Sequence, residues 1–589
     1  MKLKKISKLK SKWHDIEHGT HLLFQSLNKI QKKLIITALS IMVIAGFIIT
    51  IKARNVILIE QPIAGGQWNE GLVGNPRFIN PVLSISNIDK DLTALVHSGL
   101  LKRLPDGNYV GDLAESYSID KNGLEYTFVL KDGIEFHDGK PVTSEDIVYT
   151  IDRIKDPAEK SPKSVEWQGV NVKIIDNRTI KMTLKQPFAD FLDIATIGIL
   201  PKHIYSKYNT DSFSQARENI KAIGAGPYKI KRVTTKNNLP KTITLEKARK
   251  GYENGYIKKI VFNFYENEDE AINAFTSGKI DHLGSINARD AKDLQDRGYT
   301  VTLASFPRLY GIFFNTKNSN VLSQPRATEI IASAIDKQAI VDSVLNGFGN
   351  ITDAPIPANI ALELDYPYAK IDLEKVMKGS GWKKNENSIW EKTITKIIPG
   401  SKKTEKNTEK FAFTITTSDT PELRNGAEEI AVLLKENGIL ANVASFDSAT
   451  LEEKIRNRDY EALYYGIQVS RESQVYAFWH SSQREHPGLN ISGYTNSKID
   501  TILEELQKET NLEDRNTLWK KFVTTFYNDM PAVFIYSPSY IYAHREKPLF
   551  IMPTSIHGPN DRFINIKQWY LQTEKVIPFL QKNKTLKDS

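Results

Sequence analysis

Residues 127–157 read TFVLKDGIEFHDGKPVTSEDIVYTIDRIKDP, and His137, Asp138, Glu145 and Asp146 fall within ten residues of one another. An imidazole and three carboxylates so close together are the residue types of a metal site or a general acid–base pair. The same residues also have local structural work available. Lys131-Asp132-Gly133 and His137-Asp138-Gly139-Lys140 carry turn chemistry, because glycine reaches positive φ at low cost. Between them, Ile134-Glu135-Phe136 reads as a short strand. Thr143 is a good N-cap, and Asp146 stands at the capping-box position with Asp in place of the usual Glu or Gln. Glu145 and Asp146 lie in the first helical turn, where the helix dipole favours negative charge. Ile147, Val148, Ile151 and Ile154 then fall on a face to be buried. The cluster is read as a hairpin followed by a capped helix, in preference to a catalytic or metal site.

Other chemistry finds less support. The chain has no cysteine, which removes disulfides, thiolate metal sites, cysteine nucleophiles and the lipidated cysteine that tethers many bacterial surface proteins. There is no G-x-S-x-G elbow, no P-loop, no H-E-x-x-H and no G-x-G-x-x-G. The eleven histidines are scattered, and the approximate helical spacing of His14, His18 and His21 is read as a solvated face. No enzyme, no cofactor and no metal is expected.

The elements that must position any site are mixed. Residues 126–130, 172–176, 179–184, 241–248 and 258–265 are rich in β-branched and aromatic residues and read as strands. Helices are predicted over 144–155, 268–277, 326–346, 423–438, 497–509 and 512–528, the last with Leu518, Phe522 and Phe526 on one face. No repeat of solenoid length appears. Such intermingling points to α/β or mixed α+β domains, and 589 residues are too many for one core. Residues 383–410, rich in Lys, Thr and Asn, read as an exposed hairpin or loop insertion, and 580–589 as a frayed tail.

Charge is unevenly placed. The net charge is +9, yet residues 1–54 hold eleven Lys/Arg against only Asp15 and Glu17, so the remainder carries equal numbers of basic and acidic residues. A nucleic-acid-binding body would have a basic face of its own, so no nucleic-acid partner is expected. Leu34 to Ile51 is uncharged over 18 residues, about 27 Å as a helix and close to the hydrocarbon thickness of a bilayer. Nine lysines precede it, so residues 1–33 are expected in the cytoplasm, 34–51 across the membrane and the body outside. No small-x-small cleavage site follows, only IKARN, so an uncleaved anchor is favoured over a signal peptide.

The stretch LKDGIEFHDGKPVTSEDIVYTIDRIKDP resembles the signature of the family 5 extracellular solute-binding proteins, the oligopeptide/dipeptide/nickel type that feed ABC transporters. Other blocks follow in family order: NPVLSISNIDKDLTALVHSGLLK, DLAESYSID with Tyr117 in place of Trp, IGAGPYKI, SGKIDHL, RATEIIASAIDKQAIVDSVLNGFG, DLEKVMKGSGW and YTNSKIDTILEEL. The resemblance runs from about residue 70 to 550. It implies a two-lobed periplasmic-binding-protein-like fold with an extra subdomain, preceded here by one transmembrane helix. A solute-binding domain is expected over 55–570, with a main lobe of 55–96, 222–303 and 534–570, an inserted subdomain of 97–221 and a second lobe of 304–533, followed by a tail over 571–589. It also implies a non-catalytic function, in which two lobes close on a peptide-like or other small solute and deliver it to permease and ATPase partners. A membrane-anchored sensor or interaction module that kept the fold and lost transport is the alternative.

The resemblance also marks a departure. Peptide binders of the family carry an aspartate after an aromatic-Asp-x-x-x-x-Gly-Trp pattern, where it pairs with the ligand's α-amino group. Here the run is DYEALYYGIQVSRES, with Ile467 in place of Trp and Ser470 in place of the aspartate. A hydroxyl does not supply the same charge-assisted bond to an ammonium, and Glu472 is the neighbouring substitute. Candidate ligand-binding residues are therefore Arg308, Tyr310, Phe313 and Asn315 in the lobe crossing, Tyr465, Gln468, Ser470, Arg471 and Glu472 around the altered position, and Trp479 and His480 just after it. For the aromatic residues a place in the lobe core is the competing reading, and for Arg471 a solvated surface. The N-terminal helix is expected to remain in the mature protein. Sequencing the N-terminus of membrane-derived protein checks this, and a start between about residue 45 and residue 62 would refute it.

Overall fold

The computed structural model describes residues 26–57, 59–188, 190–248, 255–356, 371–397, 404–509, 511–545 and 552–576. The triad His14, His18 and His21, the loop 398–403 and the expected tail beyond 576 lie outside the described residues. The chain forms two compact units, one of them Ala64–Leu571 and the other made from both chain ends.

In the terminal unit, a helix spans Lys29–Ile57. Asn28 and Gln31 cap it reciprocally, each backbone N–H donating to the other's side-chain oxygen, at 2.8 and 3.0 Å. Lys29–Phe47 is long and apolar enough to cross a membrane. Its hydroxyls are internally satisfied: Thr37 Oγ1 donates to Lys33 O at 2.8 Å and Ser40 Oγ to Ile36 O at 2.9 Å. In the same unit, strand Ile59–Ile63 pairs antiparallel with Gln572–Val576, so part of the segment read as a tail is ordered sheet.

The larger unit is organised by a twelve-stranded sheet. Its central strand, Ala532–His544, is buried along almost its whole length. Residues 532–536 pair with strand Arg308–Phe314, and residues 539–544 pair with strand Thr300–Ser305. Two adjacent antiparallel strands therefore pass from one half of the sheet to the other. One is interrupted at Pro307, between Thr300–Ser305 and Arg308–Phe314, whereas Ala532–His544 runs on through Pro538, which pairs with Gly349; neither proline has a ladder N–H to donate. Ser537 Oγ ties the break to the continuous strand by donating to Phe306 O at 2.7 Å.

One half of the sheet, with strands Gly65–Val73, Ile257–Tyr265, Leu239–Lys247 and Tyr228–Lys236, buries Trp68, Phe262, Tyr542 and Trp569. The other half has a core on each face. One holds Tyr310, Tyr464, Tyr536, Trp382 and Trp390, and the other Phe313, Trp479, Trp519 and Phe526. A separate four-stranded sheet, ordered 114–119, 125–130, 179–184 and 170–174, packs on helix Ser144–Lys155 around Phe128, Ile147, Trp167 and Phe191.

Most predicted elements are present, and three differ. The single helix expected over 326–346 is two, Ala327–Ala334 and Lys337–Leu345, because Asp336 caps the second by accepting from Gln338 N and Ala339 N. The strand expected at 172–176 runs Val170–Ile174, since Asp176 Oδ1 accepts from Arg178 N at 2.8 Å and closes a turn. Ile134–Phe136 contributes only an isolated bridge, Glu135 to Pro141. Within 383–410, strands Lys383–Lys384, Trp390–Ile397 and Thr404–Lys410 form a three-stranded antiparallel sheet, anchored by the buried Trp390.

One ion cluster lies entirely within the first half. Arg562 bonds Glu70 Oε1 through Nε and Nη2, at 3.0 and 2.7 Å, and Asp91 through Nη1 and Nη2, each at 2.7 Å; all three residues are buried. Truncating the cation leaves two carboxylates without their charge partner in a dry interior. Arg562→Met is expected to cost about 3–5 kcal/mol in chemical denaturation of the full chain. A loss below about 1 kcal/mol would show that the cluster relaxes or neutralises without consequence.

Candidate functional site

The residues of the opening cluster are all engaged within the fold. His137 N donates to Gly224 O at 2.8 Å, and its Nε2 lies 2.9 Å from Gly226 O. Asp138 Oδ2 is 2.7 Å from His203 Nε2, and Glu145 pairs with Lys202 Nζ at 2.9 Å. The Asp146 carboxylate accepts from Thr143 N at 2.9 Å, Thr143 Oγ1 at 3.0 Å and Lys202 N at 2.8 Å. The cluster thus ties hairpin, helix start and the 223–226 turn together.

The candidate ligand residues fall into three groups. Tyr310, Phe313, Asn315, Trp479 and His480 are buried. Tyr310 stacks on Tyr536 at 4.9 Å between centroids. Gly466 permits this packing, because a Cβ there would come within 2.7 Å of the Tyr310 ring. Phe313 and Trp479 stack at 6.2 Å, and Tyr465 packs at the edge of the same core. Asn315 Nδ2 donates to Arg458 O at 2.9 Å. His480 stacks on Tyr476 and lies 2.8 Å from Ser482 Oγ through Nδ1. These side chains hold the second half of the sheet together.

Arg308, Gln468, Ser470 and Arg471 come together at the mouth of a cleft. Arg308 and Gln468 face each other across a strand pair, and the Arg308 guanidinium lies 5.2 Å from the Tyr310 ring centroid. Gln468 Nε2 donates to His557 O at 3.2 Å, across the cleft. Arg471 reaches the four-stranded subdomain, with Nη1 2.5 Å from Glu166 and Nε 2.6 Å from Asp193. Ser473 N adds a bond to Asp190 Oδ2 at 3.2 Å.

Ser470 and Glu472, at the altered position, are both committed locally. Ser470 N and Oγ donate to Gln474 Oε1 at 2.7 and 3.2 Å. Glu472 forms an ion pair with Arg515. The nearest substitute for the family's aspartate therefore already has a guanidinium partner.

Two cavities open here, of about 590 and 570 Å³, and they share Arg103, Asp193, Ser470, Arg471 and His557. The second is also lined by Lys90, His97, Lys163, Arg308 and Asp561. Burial pushes Lys163 down to about 8, with the nearby Lys90 charge acting in the same direction. Burial likewise holds His557 below the usual imidazole range, helped by Arg103. Sequence reasoning did not single out Lys90, Lys163, Glu166, Asp193 or His557 for this site. They come from segments far apart in the chain and share no local motif.

Comparison with known proteins agrees with this architecture. The profile of "Bacterial extracellular solute-binding proteins, family 5 Middle" matches residues 108–486. The oligopeptide-binding protein AppA of Bacillus subtilis is 26% identical over 538 residues, covering 87% of this chain and 92% of the relative. Among solved structures, the ABC transporter substrate-binding protein CtaP of Listeria monocytogenes superposes with a TM-score of 0.70 at 21% identity, over 86% of this chain and 99% of its own. Campylobacter jejuni NikZ in complex with Ni(L-His) gives a TM-score of 0.65 at 21% identity, over 86% and 99%. The fold is the two-lobed binding-protein fold these structures share.

His97 offers a test of the cavity wall. It is buried, with Nδ1 3.4 Å from Ile199 O and Nε2 3.3 Å from Ile79 O, and burial lowers its pKa to about 4. An unfolded-state histidine takes up a proton near pH 6.5. The folded state refuses that proton until about pH 4. His97's contribution is complete above pH 6.5 and is lost as pH falls towards 4, by up to about 3 kcal/mol. Urea denaturation of wild type and His97→Gln across that range should show the wild type losing stability faster on acidification. Parallel pH profiles would refute the assignment.

Proposed function

The chain belongs to the family 5 bacterial extracellular solute-binding proteins, and from that premise we propose that it is the membrane-anchored, extracytoplasmic binding protein of an ABC importer. It closes its two lobes on a small solute and hands that solute to permease and ATPase partners. The observation that carries this reading is the pairing of a two-strand crossing with a cleft spanned by side chains from both sides. Closure is a matter of bending at Pro307 and Pro538, and the cleft offers over 500 Å³ in each of two chambers for a ligand. The apolar helix supports an anchor: it is 29 residues long, and Thr37 and Ser40 bond to their own backbone, as a lipid-facing helix requires. With the lysine-rich leader on its N-terminal side, the binding domain lies outside the cell.

The relatives named above include an oligopeptide binder and a nickel–histidine binder. A peptide-like or other small solute is the class assigned here. A free peptide amino terminus held by a carboxylate at position 470 is not part of the assignment, because Ser470 bonds Gln474 and Glu472 bonds Arg515.

The absence of cysteine makes the test direct. Asn122→Cys and Lys498→Cys place one label on the subdomain and one on the second half of the sheet, both at exposed positions. In full-length protein in nanodiscs, small-molecule extract from the native source is expected to shorten the inter-label distance. Denaturing natively purified protein is expected to release the responsible solute for mass spectrometry. An unchanged distance together with no released solute would refute the transport reading.

A further inference from the structure

The second cavity is unbalanced in charge. Its lining includes seven cations (Lys90, Lys102, Arg103, Lys163, Arg308, Arg471 and Lys567) and three carboxylates (Asp112, Asp193 and Asp561). All three carboxylates act on cations of the same wall, Asp112 through the charge of Lys567. Asp193 pairs with Arg471 and accepts from Tyr109 OH at 3.1 Å. Asp561 pairs with Arg103 and accepts from His557 N at 2.7 Å. The two imidazoles of the lining, His97 and His557, are both held below their ordinary range by burial and remain neutral near pH 7.

The cations are less well matched. Among the described residues, Lys90, Lys102 and Arg308 have no carboxylate within ion-pair distance. Lys163 donates to Ser84 O and Ser84 Oγ, both at 3.2 Å and both neutral. Glu422 senses the charge of Arg308 without pairing to it, and burial raises its pKa. Lys90 and Arg308 are exposed at the rim and Lys163 is half-buried; a cleft lined by an excess of one sign of charge disfavours a cationic solute and favours an anionic one. Burial and the Lys90 charge lower the Lys163 pKa, and the nearby Glu166 and Asp89 charges partly offset them.

We propose that this cleft selects a polyanionic solute, bearing at least two carboxylate or phosphate groups, with its anionic end seated among Lys90, Lys163 and Arg308. The proposal rests on the reading of the chain as a binding protein and narrows it to a ligand class. It also accounts for Ser470: an anion at this wall leaves no ammonium requiring the missing aspartate.

The test is calorimetry on the full chain in nanodiscs with N-acetyl-triglutamate, N-acetyl-trialanine, N-acetyl-trilysine amide, citrate and an N-acetylated phosphoserine tripeptide. Triglutamate or the phosphoserine peptide is expected to bind at least about tenfold more tightly than the alanine and lysine peptides. That preference should shrink as salt shortens the screening length. Lys90→Glu and Arg308→Gln should each remove most of it without lowering the melting temperature. If the phosphoserine peptide exceeds triglutamate, phosphate is the preferred anion; if triglutamate or citrate leads, carboxylate is. Alanine or lysine peptides binding as tightly as the acidic ones would overturn the proposal, as would a preference retained in both variants or no binding by any anionic probe. A neutral or cationic solute released from native protein would also overturn it while leaving the transport reading intact.

Discussion

A single strand has to satisfy two cores at once. Ala532–His544 hydrogen-bonds to Arg308–Phe314 at one end and to Thr300–Ser305 at the other, and it is covered on both faces for most of its length. Tyr536 contributes to one core and Tyr542 to another, only six residues along the same chain. Neither half can shift its register without dragging this strand. Its partner is broken at Phe306 and Pro307, where Ser537 fastens the two with one side-chain bond. Everything that reaches the cleft does so from fixed positions on either side of that crossing.

The buried Arg562 cluster fixes the opposite wall. Its carboxylates come from strand Gly65–Val73 and helix Asn87–Val96, while the arginine comes from the short helix Pro559–Phe563. The loop that carries Arg562 also carries His557 and Asp561 to the cleft. A charge network with no exposure to solvent thus sets the position of groups that have it. Such a network contributes specificity of placement at a considerable desolvation cost.

Much of this was legible in the chain. The turn residues around Lys131–Lys140, the Thr143–Asp146 cap and the alternating strands 125–130 and 179–184 follow local rules, and their structures obey them. The strands that carry the crossing, 308–314 and 532–544, were not recognised as strands. Burial on both faces erases the apolar–polar alternation that announces a half-exposed strand, and Pro538 argues against a central one. The split at Asp336 was available in principle, because Ala-Ile-Asp-Lys is a capping sequence hidden within a continuous helical period. The cleft was only half legible. Arg308, Gln468, Ser470 and Arg471 could be named from the family resemblance, whereas Glu166, Asp193 and Lys163 join them only through tertiary folding. The aromatic residues near them gave no signal that separates a core position from a lining one.

The contacts of Arg471 with Glu166 and Asp193 carry a thermodynamic consequence. They join opposite walls without involving any ligand, so the juxtaposed arrangement of the walls has a stabilisation of its own. Measured affinity then reports the ligand's contacts multiplied by the fraction of molecules already in the competent arrangement. Weakening the Arg471 pair would lower apparent affinity even for a solute that never touches it, while strengthening the pair would raise occupancy and slow release. Tightness of binding and speed of handover are thereby set against each other by one guanidinium group.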